Sequence, residues 1–173
     1  DAVAFCKWVG VCLPTEAQWE KAARGTDGRK YPWGNQEPTK DLCNFGGKVG
    51  DTTPVGSYPS GASPYGVLDM AGNVWEWTSS QHKPYPYDAS DGRESPGGGE
   101  RRVVRGGSWL DFPAKAAAAF RLSILPDLIL GADVIGRHAE PAPALGQMAR
   151  LLAPGGILII AAPQRHSPLE WTR

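Results

Sequence analysis

Apolar positions near the start of the chain follow a helical period. Ala2, Ala4, Phe5, Trp8 and Val9 recur at the spacing of one helical face, predicting a first short helix. Thr15 and Gln18 then stand at capping-box spacing. Trp19, Ala22 and Ala23 share the face behind them and Gly25 acts as a stop, so a second helix joined to the first by a turn is expected within residues 2–24. From residue 25 to about 102 the helical period disappears. Gly, Pro, Asn, Asp and Ser alternate with aromatics, as in Tyr31-Pro-Trp33-Gly34, Asn44-Phe45-Gly-Gly47 and Ser63-Pro-Tyr65-Gly66. Turn formers at this density forbid long helices and leave short strands, expected over 74–78 and 102–105. The run 88–99, ending in Ser-Pro-Gly-Gly-Gly, reads as an exposed, mobile loop. After about residue 123 continuous apolar runs replace this pattern: a strand-like stretch over 125–135, a helical stripe of Leu145, Met148 and Leu152, and a buried-strand run over 157–162 after a Pro-Gly-Gly turn.

Composition supports a loop-built first part. The chain holds 22 Gly and 16 Pro in 173 residues, against average usage of roughly 7% and 5%. Seven Trp against four Phe point to a core of indole plates held by loops. With 18 Lys plus Arg against 18 Asp plus Glu, the formal charge is zero, which argues against nucleic-acid and membrane-surface partners. No run approaches the roughly 20 apolar residues of a bilayer span, and no basic-then-apolar signal peptide opens the chain, so a soluble chain of open compartment is expected. Cys6, Cys12 and Cys43 are too few and too odd in number for a disulfide framework.

Four strings stand in a characteristic order: Leu13-Pro-Thr-Glu-Ala-Gln-Trp-Glu-Lys-Ala-Ala-Arg-Gly25, Tyr31-Pro-Trp-Gly34, Tyr65-Gly-Val-Leu-Asp-Met-Ala-Gly-Asn-Val-Trp-Glu-Trp-Thr78 and Arg105-Gly-Gly-Ser-Trp109. Together they resemble the sulfatase-modifying-factor family, the formylglycine-generating enzymes and the non-heme-iron sulfoxide synthases of ergothioneine type. The resemblance covers residues 1–123 and implies an α+β, C-type-lectin-like fold with little regular secondary structure. The family's domain ordinarily begins before the helix at residue 1, so the resemblance implies a domain lacking its N-terminal part. Residues 124–173 form the second expected unit, resembling the last strand–helix–strand of a class I methyltransferase. The glycine-rich turn and acidic residue that bind a methyl donor in that family are not found; Gly97-Gly-Gly99 follows no strand and opens no helix.

Asp69 and Glu76 bracket a Gly-containing turn whose carbonyls at Gly72 and Val74 lie between them. Carboxylates and carbonyls wrapped this closely suit a hard cation. The resemblance places these four residues on a structural calcium loop of the family. The same carboxylates could instead cap a turn, at Asp69, and pair with an arginine such as Arg105, at Glu76. A second calcium loop would use Asn44 and the carbonyl of Phe45, its later carboxylate position falling on Gly47.

Formylglycine formation in the family uses copper(I) held by two cysteines, since soft thiolates suit that ion. Asp111 and Ala116 stand at those positions, so no copper is expected. The sulfoxide synthases hold iron with three histidines. His82, His138 and His166 are dispersed and read as surface residues, so iron is expected only if residues outside this chain supply it. Ala116–Ala119 replace the family's Arg- and Asn-rich segment, leaving any groove there chemically blank. No catalytic residue is assigned. Three functions remain: a calcium-stabilised, non-catalytic or accessory module binding a protein, peptide or small molecule; part of a non-heme-iron sulfoxide synthase of the ergothioneine or ovothiol type; or a hypervariable lectin-like display protein. Self-association through the apolar tail is a further expectation.

Overall fold

A computed structural model describes residues 2–95 and 100–125, together with the backbone of 161–162. Helix α1 spans Ala2–Val9 and helix α2 spans Glu16–Arg24. Strands β1 (Trp75–Gln81), β2 (Arg102–Arg105), β3 (Leu122–Ile124) and the two-residue β4 (Ala161–Ala162) form one antiparallel sheet in the order β3-β2-β1-β4. Everything else described is loop, apart from 3-10 turns at Pro59–Gly61 and Pro113–Ala116.

Local chemistry explains both helices. At α2, Thr15 Oγ1 accepts from Gln18 N at 3.2 Å while Gln18 Oε1 accepts from Thr15 N at 2.8 Å, the reciprocal capping box expected from the sequence. Gly25 ends the helix, donating to Lys21 O. α1 ends in a Schellman turn: Gly10 N donates to Lys7 O at 3.3 Å, Val11 N donates to Cys6 O at 2.9 Å, and the Val11 side chain packs on Cys6. The inner stripe of α1 is Ala2, Phe5, Cys6 and Val9. Trp8 instead stands 73% exposed and Ala4 is exposed too, because helical rotation turns both away from Cys6.

The sheet separates two interiors. In β1, Trp75 and Trp77 face one side with Val104, Phe120, Ile124 and residues Ala2 and Leu13 of the first segment. Glu76 faces the other side, where Trp19 and Ala23 of α2 pack with Met70 and Ala118. Trp19, Trp75 and Trp77 are therefore the core plates, and burial of an aromatic of this size is worth several kcal/mol by the cost of truncation, about 3–5. Between Trp77 and Gln81 the register slips, so β1 bends around the shorter β2.

Two expectations change. Residues 88–95 are anchored, because Arg93 is 1% exposed, pairs with Asp91 at 2.7 Å, donates to Pro84 O at 3.0 Å and lies 4.6 Å over the Tyr87 ring. Residues 96–99 lie outside the described residues. A methyltransferase-like strand–helix–strand is not supported: its parts over 126–160 lie outside the described residues, and Ala161–Ala162 pairs antiparallel with Trp75–Glu76 in the first part's own sheet. A strand–helix–strand unit would require parallel neighbours. Among the described residues no helix is long and apolar enough to cross a membrane.

Candidate functional site

The turn from Asp69 to Asn73 is built from left-handed backbone. Asp69, Gly72 and Asn73 have φ of 56°, 73° and 62°. Gly72 is demanded twice over, since a Cβ there would lie 2.2 Å from Asn44 O in addition to the unfavourable φ. The turn is held by its neighbours: Gly72 N donates to Gly106 O at 2.8 Å, Asn73 N to Asn44 O at 2.8 Å, and Trp109 N to Asn73 O at 3.0 Å. The Asn73 amide clamps Thr53, accepting from its N–H at 2.9 Å and donating to its carbonyl at 3.1 Å. Two of the four sequence strings and the segments at Asn44 and Thr53 thus converge on one turn. Asn73 carries much of that convergence and was not singled out from sequence, although an Asn next to Gly in a turn is a known left-handed signal.

Asp69 and Glu76 leave this turn as carboxylates without ion-pair partners among the described residues. Asp69 Oδ2 accepts from Gly56 N at 2.6 Å, and burial raises its pKa. Glu76 is 7% exposed and Oε2 accepts from Trp19 Nε1 at 2.5 Å. Burial pushes its pKa up to about 8, with the Trp19 hydrogen bond opposing and repulsion from Asp69 adding to the rise. Glu76 and Arg105 are backbone partners in the sheet, yet their side chains do not pair: Arg105 lies 5.4 Å over the Trp19 ring whose N–H serves Glu76. Two desolvated carboxylates without ion-pair partners are of the chemical type that a hard dication takes.

Asn44 is 1% exposed; its Nδ2 donates to Asp51 O at 2.8 Å and its Oδ1 has no partner. Phe45 is buried, with Lys48 Nζ 4.3 Å over its ring. Gly47 carries no side chain and donates its N–H to Trp109 O at 2.7 Å. Among the described residues, no three of His, Cys, Asp and Glu gather as a metal group.

Asp111 and Ala116, the positions that the resemblance implies for copper thiolates, are engaged otherwise. Asp111 Oδ2 accepts from Ser108 N at 3.0 Å and Ser108 Oγ at 2.7 Å, while Oδ1 accepts from Lys115 Nζ at 2.7 Å. Ala116 is 2% exposed and packs with Tyr31 and Ala71. Gly107 lets this 3-10 turn approach, since a Cβ there would lie 2.8 Å from Lys115 O. Copper(I) does not fit these side chains. Cys6 and Cys43 are buried, and burial pushes their thiols up to about 11 and about 12, so neither offers a thiolate; Cys12 is exposed. His82 is exposed, as expected, and His138 and His166 lie outside the described residues.

Sequence reasoning missed a buried ionic network behind the turn. Glu16, fully buried, receives Arg121 Nε at 2.6 Å and Nη2 at 2.7 Å, Arg105 Nη2 at 3.2 Å and the Tyr85 hydroxyl at 3.4 Å. Arg105 also pairs with Glu20 and donates to Ala118 O at 2.7 Å. Burial pushes the Glu20 carboxyl up, but hydrogen bonds from Arg105 and Arg24 outweigh it and hold its pKa below the usual value. The signal was an acid at position 16, one turn before Trp19 on the apolar stripe of α2, which could be buried only with a cationic partner.

Residues 1–130 match the family described as "Sulfatase-modifying factor enzyme 1-like domain". Among curated relatives, the hercynine oxygenase of Mycobacterium tuberculosis is 45% identical over 130 residues, 70% of this chain and 30% of that protein. The inactive C-alpha-formylglycine-generating enzyme 2 of Bos taurus is 42% identical over 122 residues, 64% of this chain and 36% of its own length. Among solved structures, Treponema denticola variable protein 1 aligns with a TM-score of 0.55 and 34% identity over 66% of this chain and 42% of that one. PvdO from Pseudomonas aeruginosa aligns with a TM-score of 0.56 and 28% identity over 72% and 51%. The chain spans about a third of the length of the curated relatives it matches.

Proposed function

Because the chain belongs to the sulfatase-modifying-factor family, we propose that it is a calcium-stabilised accessory or binding module of that family, C-type-lectin-like in fold, without copper oxidase chemistry. The observation that carries this reading is the closed Ser108–Asp111–Lys115 cluster and buried Ala116 where the family holds its thiolates. An Asp neutralised by Lys115 and a methyl group offer copper(I) nothing soft to bind. Calcium would be held by Asp69 and Glu76 with the carbonyls of Gly72 and Val74, where it would supply the positive charge that two desolvated carboxylates lack. Asn44, through its orphaned Oδ1, and the carbonyl of Phe45 are the corresponding donors for a second ion. The likeness to an inactive formylglycine-generating enzyme supports the expectation that the chain does not turn over such a substrate.

The test is direct. The purified chain, given copper(I), O₂ and a peptide bearing a sulfatase-type cysteine, is expected to leave the peptide mass unchanged. Conversion of that cysteine to formylglycine would overturn the reading.

One observation favours a second reading. The likeness to hercynine oxygenases supports a part of a non-heme-iron sulfoxide synthase whose iron ligands would be supplied by residues outside this chain. Anaerobic iron(II) titration of the chain together with a helical, histidine-bearing partner domain separates the two. Tight binding that requires both parts would favour the synthase; no binding, with a calcium response of the chain intact, would favour the accessory module.

A further inference from the structure

We draw no further inference here: the strongest candidate, the apolar outer face of α1 on which Val3 and Trp8 stand in solvent, carries nothing because no feature of the structure shows what covers it.

Discussion

Burial beneath Trp19 pushes the pKa of Glu76 up to about 8, which favours its neutral form in the metal-free protein. Its folded pKa lies above the unfolded value, so the stability its neutral form provides is complete below about pH 4.5 and is lost as pH rises through about 8. Urea unfolding in chelator is therefore expected to show stability falling between these limits, by an amount on the order of several kcal/mol. Glu76→Gln, which keeps an acceptor for Trp19, should flatten that fall and also abolish any response to calcium. An unchanged pH slope in the variant would show that Glu76 is not the titrating group. Gly72 tests the same turn from the backbone. Gly72→Ala adds a methyl at 2.2 Å from Asn44 O on a φ of 73°, and a loss above about 2 kcal/mol is expected. A shift under 0.5 kcal/mol in the urea midpoint, roughly the level of a neutral surface change, would mean that the turn yields easily.

At the scale of the element, α2 is the piece that locks loops to sheet. Its capping box is exposed, and Thr15→Ala is expected to cost about 1 kcal/mol, read from thermal unfolding. Its inner face is different in kind. Glu16 compensates Arg121 and Arg105 in a place that water does not reach, so Glu16→Ala leaves two guanidinium groups short of a partner. Removing one member of a buried pair costs about 3–5 kcal/mol, which makes this variant poorly folded or far less stable than Thr15→Ala. Equal effects from the two substitutions, measured by circular dichroism during urea titration, would contradict the network's role. Because Arg121 immediately precedes β3, the same contact fixes the outer strand of the sheet against α2.

For the whole molecule, little regular structure leaves stability to loop anchors and to whatever neutralises the 69–76 turn. Calcium at about 1,000-fold over its Kd would stabilise the native state by about 4 kcal/mol. A thermal midpoint that rises with calcium, falls with chelator and stays insensitive to both in Asp69→Asn/Glu76→Gln is the expected result. Equal midpoints under all conditions would remove calcium from the proposed function.

The sequence by itself determined the local devices and the family. Thr15 with Gln18, the Gly25 stop, the strands near 75 and 102, and the four ordered strings all depend on neighbours a few residues apart, where spacing is enough to specify geometry. It also placed Asp69, Gly72, Val74 and Glu76 on one short segment, which the structure resolves into a turn and the start of β1. Only the tertiary structure decided which charges meet: Glu16 with Arg121, 105 positions away, Trp19 with Glu76 across 57, and Arg105 with α2 rather than with its strand partner Glu76. Charge pairing over such separations depends on how elements pack; the helical period marks Glu16 as needing a cation but carries no trace of which one. Burial decided the rest, turning Trp8 outward and Arg93 inward, because a side chain's cost or gain is fixed by its surroundings and not by its residue type.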